Sequence, residues 1–193
     1  VAVALALVTA IAVSSIVQIG RRTGGIVSRR PLLVVPGVTL VIGVLAIVFE
    51  AITGLSANAV LFSGQEAMGT IVDQAGTLSL STLVILVVCK GLAWSLSLGS
   101  ARGGPTFPAI FLGMVAGLLA GHLPGFAETP AVAVLIGAAC VSVLRLPLSS
   151  VIIALLVSRA GMGTTPLIIV GVVVAYIAVT WLSARRVSAS GTA

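Results

Sequence analysis

Charge is scarce in this chain: of 193 residues 7% are charged, four are acidic and 4% are aromatic. A soluble domain carries roughly 25% charged residues and about half apolar ones. Here 59% are hydrophobic and the mean hydropathy is +1.31, so too few polar side chains exist to cover a water-facing surface. That excludes a soluble globular fold and a disordered tail. Cys89 and Cys140 both lie inside apolar runs, where a thiol is a small hydrophobic filler; a disulfide-stapled module is excluded as well. The single histidine, His122, has no second histidine, no cysteine pair at ligand spacing and no nearby carboxylate, which leaves a zinc site unsupported. A hydrolase needs a nucleophile beside a base, and His122 stands at a run's end next to Pro124. What remains is an integral membrane protein that is not an enzyme.

The formal charge is +6 and the isoelectric point is near 11.2. In a soluble protein that balance points to nucleic acid. Here the arginines cluster at segment ends, Arg21, Arg22, Arg29 and Arg30 first, Arg185 and Arg186 later. Such clusters anchor to phospholipid headgroups, so no nucleic-acid partner is expected. The chain opens on Val1 directly into an apolar run, with no basic leader and no cleavage motif; it reads as part of a longer protein.

Apolar runs cover residues 1–17, 32–49 and 77–98, with a shorter, interrupted one at 58–72 that contains Ser63-Gly64-Gln65-Glu66. About 20 apolar residues span a ~30 Å hydrocarbon core. Beyond residue 105 the runs shorten to 107–121, 131–144, 148–158 and 167–183. Pro108 stands at the head of the first and Pro130, Pro147 and Pro166 precede the others; they predict four helix starts, since proline's missing N–H has no partner there anyway. Some of these helices are too short to cross a bilayer upright. Broken helices leave backbone groups that survive in lipid only inside protein or beside an aqueous cavity. Helix N-termini aimed at the midplane are one way transporters bind anions.

The sharpest motif is Gly99-Ser-Ala-Arg-Gly-Gly-Pro-Thr-Phe-Pro108. Its glycines permit backbone N–H groups to converge on one point, and the following helix would aim its positive end there; a plain interhelical loop with glycines for packing is the other reading. Gly113, Gly117 and Gly121 recur every four residues, a small-residue stripe for close helix contact. Ser149 and Ser150 read as caps for the helix after Pro147. Among the charges, Glu50, Glu128 and Arg145 fall at run boundaries, Glu66 in the interrupted run and Lys90 well inside one. An intramembrane lysine is a candidate site residue, and it can also snorkel to the surface.

These residues carry a resemblance. Lys90-Gly-Leu-Ala-Trp-Ser-Leu-Ser-Leu-Gly-Ser100, Gly103-Gly104 and Pro108-Ala-Ile-Phe-Leu-Gly113 resemble the third anion-binding motif of the CLC family of chloride channels and chloride/proton antiporters. Arg145-Leu-Pro-Leu-Ser-Ser-Val-Ile-Ile and Pro166-Leu-Ile-Ile-Val-Gly171 resemble the two helices that follow it, and Gly64-Gln65-Glu66 the Gly-rich turn that opens a short helix.

The resemblance implies an all-α integral membrane fold, a CLC-like bundle of tilted and broken transmembrane helices. Residues 1–30 would be the last helix of the preceding half with a basic connecting loop, 31–184 the second inverted repeat, and 185–193 a polar tail. It implies chloride transport in a multi-pass protein of the cell membrane, of bacterial plasma-membrane type. Chloride is the substrate and no cofactor is needed. A homodimer is implied, its interface formed by residues 1–17, 148–158 and 167–181, as is an N-terminal half of the pore supplied from outside this chain. Chloride would be held at Gly103, Gly104, Pro105, Thr106, Phe107 and Pro108. The family's Gly-x-Phe-x-Pro pattern departs here: Pro105 occupies a place where an amide is expected, and Thr106 stands where the family has Phe. Thr106 and Phe107 then supply amides in a shifted register, or coordination differs. The family's pore-closing tyrosine has no counterpart, Tyr176 lying inside an apolar run. A non-transporting CLC-like scaffold or assembly partner is the alternative.

Overall fold

The structure, a computed structural model, describes residues 1–101, 103–123 and 127–190, the last five as backbone. Arg102, Pro124 and residues 191–193 of the expected tail lie outside that set. Among the described residues there are eight α-helices and no strand: α1 (Ala2–Val27), α2 (Pro31–Thr53), α3 (Gln65–Asp73), α4 (Leu80–Ser100), α5 (Thr106–Gly121), α6 (Glu128–Leu144), α7 (Pro147–Ser158) and α8 (Thr165–Ser190). Four apolar stretches are long enough to cross a bilayer, Ala2–Val27, Pro31–Thr53, Leu80–Ser100 and Met162–Arg185. α5, α6 and α7, with 16, 17 and 12 residues, are not; twelve residues rise only about 18 Å.

The helix boundaries follow local chemistry. Pro31 and Pro147 open α2 and α7, and Pro166 lies at the second position of α8. Ser79 caps α4, its hydroxyl accepting from the Thr82 amide at 3.2 Å. Gly54 closes α2 in the left-handed region at φ 71°. Two expected starts shift. α5 begins at Thr106 and α6 at Glu128, so Pro108 and Pro130 sit at the third position of their helices. The first four amides of a helix have no intrahelical partner, so proline is tolerated there too.

Three further expectations change. Arg21 and Arg22 belong to α1, which runs on to Val27, and the basic connector shrinks to residues 28–30; arginine is a good helix former. The tail begins as helix, because α8 continues to Ser190. Ser149 and Ser150 do not cap α7, which has no side-chain cap. Instead the buried Ser150 hydroxyl donates back to the Leu146 carbonyl at 2.8 Å.

The core is built on α5 and α6, which are apolar around most of their surface and mostly buried. Gly113 and Gly117 bring them together: a Cβ on Gly113 would come within 2.6 Å of the Leu135 carbonyl oxygen, and one on Gly117 would strike Val132. Thus the stripe reads as predicted, and α6 is its partner. α1 lies against α4, α6 and α8, α7 against α6 and α8, and α2 along α4 with most of its surface outward.

Candidate functional site

Between α2 and α3 the chain is not helical apart from the three-residue 3-10 turn Ala57–Ala59. Phe62 and Gly64 take left-handed conformations at φ 54° and 80°, which turn the carbonyls of residues 60–62 inward. Non-helical backbone inside a membrane domain needs internal partners. Lys90, the chain's single lysine and the midpoint of α4, supplies them. Its Nζ donates to the carbonyls of Val60, Leu61 and Phe62 at 3.0, 2.9 and 3.1 Å. All three ammonium donors are thereby used. The residue is 1% exposed, so it does not snorkel. Its Nζ also lies 5.0 Å from the centroid of the Phe111 ring on α5, and Gly64 packs on that same ring, since a Cβ there would approach within 2.6 Å.

One face of α4, carrying Lys90, Ala93, Trp94, Ser97 and Leu98, lines a cavity of about 320 Å³. These positions recur at helical spacing and cover about 12 Å of rise. The facing walls come from Ile42 of α2, residues 60–63 and Gly103, Gly104 and Pro108. Among the described residues Lys90 is the one charged side chain on these walls, and none of them is a carboxylate. The cavity is therefore electropositive and suits an anion rather than a cation.

The structure brings half of the sequence-predicted site to this cavity. Gly103, Gly104 and Pro108 line it, whereas Pro105, Thr106 and Phe107 form the adjoining start of α5 without lining it. The α4 end is held in place by Gly99, whose close fit against Gly20 and Gly24 of α1 leaves no room for a Cβ. Pro105 is the residue before the helix, and the first amide to bond within the turn is that of Ala109, to the Pro105 carbonyl at 3.3 Å. Among the described residues no hydrogen bond engages the amides of Gly103, Gly104, Thr106 or Phe107. Pro105 and Pro108 have none to offer. Side chains added at Gly103 or Gly104 would meet nothing within 4 Å, so there is open space beside these two residues. Free N–H groups at a helix start, with the positive end of the helix dipole behind them, are an anion-binding arrangement.

Other singled-out residues lie elsewhere. The His122 ring donates from Nδ1 to the Leu118 carbonyl at 3.0 Å. Arg145, left-handed at φ 60°, closes α6 and donates to the Ser183 hydroxyl at 2.8 Å. Glu66 and Glu128 occupy the first turns of α3 and α6, where a carboxylate complements the helix dipole. Tyr176 is half-buried on α8. Sequence reasoning singled out Lys90 but not its partners, and it missed Trp94, which is 5% exposed with an indole Nε1 that has no hydrogen-bond partner. The spacing of Trp94 one turn after Lys90 was the available signal.

No curated protein and no solved structure matches the chain. The family described as voltage gated chloride channel matches residues 1–180. The all-α architecture with four apolar helices long enough to cross a membrane is consistent with that match, and the chain belongs to the voltage gated chloride channel family.

Proposed function

We propose that this chain moves chloride across the membrane as one half of a CLC-type pathway, either a channel or a chloride/proton antiporter. In this reading 31–184 is the second repeat, another segment supplies the first half, and two such subunits pair. The observation that carries it is the set of amides at Gly103, Gly104, Thr106 and Phe107 that are unbonded among the described residues, beside a cavity whose one charged wall residue among them is Lys90. Chloride needs its water shell replaced by donors on entering a low-dielectric site. Backbone N–H groups supply donors without a full opposite charge, so the ion is not held too tightly to leave. The shifted register, with Thr106 and Phe107 as donors, fits the absence of an N–H at Pro105 and Pro108.

The test is chloride efflux from liposomes containing the full-length protein. Thr106→Trp and Gly104→Trp are expected to abolish efflux while leaving the protein folded. Efflux unchanged by bulky substitutions from Gly103 through Phe107 would overturn the site. A non-transporting scaffold is favoured by one observation, the loss of an expected amide to Pro105; wild-type protein with no efflux at all would select it.

A further inference from the structure

We propose that the notch where α1 passes into α2 binds an anionic phospholipid whose headgroup carries two phosphates. The proposal needs the membrane setting alone and not the chloride reading. Arg22, Arg29 and Arg30 line this notch of about 570 Å³ together with Gly25, Ile26 and Val34. Arg22, Gly25, Ile26 and Arg29 follow at helical spacing on one face, and Ser28 just past α1 keeps right-handed helical angles, carrying the turn on towards Arg29. A Cβ on Gly25 would meet nothing within 4 Å, so the space beside it is free.

The charge in the notch is uncompensated. The chain has four acidic residues, and none of them lines it; Glu50, near the far end of α2, is about 30 Å of rise from Arg30. Among the described residues no hydrogen bond or ion pair engages the three guanidiniums. Depth also matches a headgroup. Residues 2–20 of α1 carry no charge and rise about 28 Å, close to the ~30 Å hydrocarbon thickness, which puts Arg22 at its edge. Ile26 and Val34 give the notch an apolar wall. Leu32 and Leu33, next to Arg30, are 89% and 73% exposed, a surface that acyl chains would cover and a free phosphate would not. A guanidinium takes a phosphate bidentately, and three around one concavity exceed the charge of a single phosphodiester. A headgroup of diphosphatidylglycerol chemistry, with two phosphodiesters, matches them better, and basic pockets between transmembrane helices hold headgroups of this kind.

Native mass spectrometry of the full-length protein in a neutral detergent counts the lipid it keeps. Given equal amounts of diphosphatidylglycerol, phosphatidylglycerol and phosphatidylcholine, it should retain diphosphatidylglycerol in preference to both others. Arg22→Gln should weaken that retention about fivefold, the worth of one arginine at an anionic lipid surface. Arg21→Gln removes the same charge from a residue that does not line the notch and should leave retention nearly unchanged. Gly25→Leu keeps every charge and adds a side chain where there is room, so it should fold normally and still lose the lipid. Equal retention of the two anionic lipids, equal losses from Arg21→Gln and Arg22→Gln, or full retention by Gly25→Leu overturns the proposal and leaves a diffuse surface charge. Displacement of the lipid by millimolar inorganic phosphate at matched ionic strength overturns it in favour of a free anion.

Discussion

The ammonium of Lys90 on α4 stands 5.0 Å from the centre of the Phe111 ring on α5 while its three donors hold the carbonyls of residues 60–62. One side chain thus ties together α4, α5 and the non-helical segment before α3, and it charges the cavity between them.

Lys90→Met removes the charge and strands three inward carbonyls, two of them in a partly buried setting. Each buried acceptor left unpaired costs about 1–3 kcal/mol. The variant is expected to lose thermal stability by several degrees, read by size-exclusion after heating, and to lose chloride efflux. Lys90→Arg keeps the charge but brings a planar fork in place of a compact ammonium, so it should recover part of the efflux and little of the stability. A Lys90→Met protein as stable as wild type would show that the three bonds are dispensable.

The glycine stripe predicts a graded series. Gly113→Ala and Gly117→Ala place a methyl against α6 backbone at Leu135 and Val132, which cannot yield without moving the helix, and overpacking of this kind costs about 1–3 kcal/mol. Gly121→Ala meets the Glu128 side chain at 3.0 Å, an exposed group at the end of the contact, and should cost less. Thermal unfolding of the three variants checks the order; equal losses would contradict it.

Gly104 separates folding from function. A Cβ there enters open space and its φ is not in the left-handed region, so Gly104→Leu should fold with wild-type stability. Because Gly104 lines the cavity, the same variant should slow chloride efflux at least about tenfold, a barrier change of about 1.4 kcal/mol. Normal efflux from a normally folded Gly104→Leu would remove this residue from the path.

Arg159 ends α7 in the left-handed region at φ 50°, a conformation glycine adopts without a Cβ penalty. Arg159→Gly is expected to raise stability by about 0.5–1 kcal/mol with no change in efflux. Thermal unfolding checks this, and a drop would mean that the arginine side chain contributes more than its backbone strain costs.

Much of the fold is legible along the chain because its signals are local. Apolar runs, the prolines in the first turns of α5, α6, α7 and α8, and the glycines at 103 and 104 report on bonding within a few residues, so membrane character, helix breaks and the loop before α5 follow from them. The exact starts of α5 and α6 do not, since proline is tolerated anywhere in the first turn. The ends of α1 and α8 were placed too early because arginine marks a membrane boundary without stopping a helix.

The amino-acid order alone determined that this protein lives in a bilayer, that some helices of its second part are too short to cross upright, and that its Gly- and Pro-rich stretch breaks the helical run before α5. Tertiary structure decided what that stretch faces. Lys90 meets carbonyls 28 to 30 residues earlier, the stripe from Gly113 to Gly121 meets α6, and Trp94 is left without an acceptor. Each of these depends on which helices pack side by side. That choice belongs to the whole apolar core, where shape complementarity is distributed over many residues and no single local pattern encodes it.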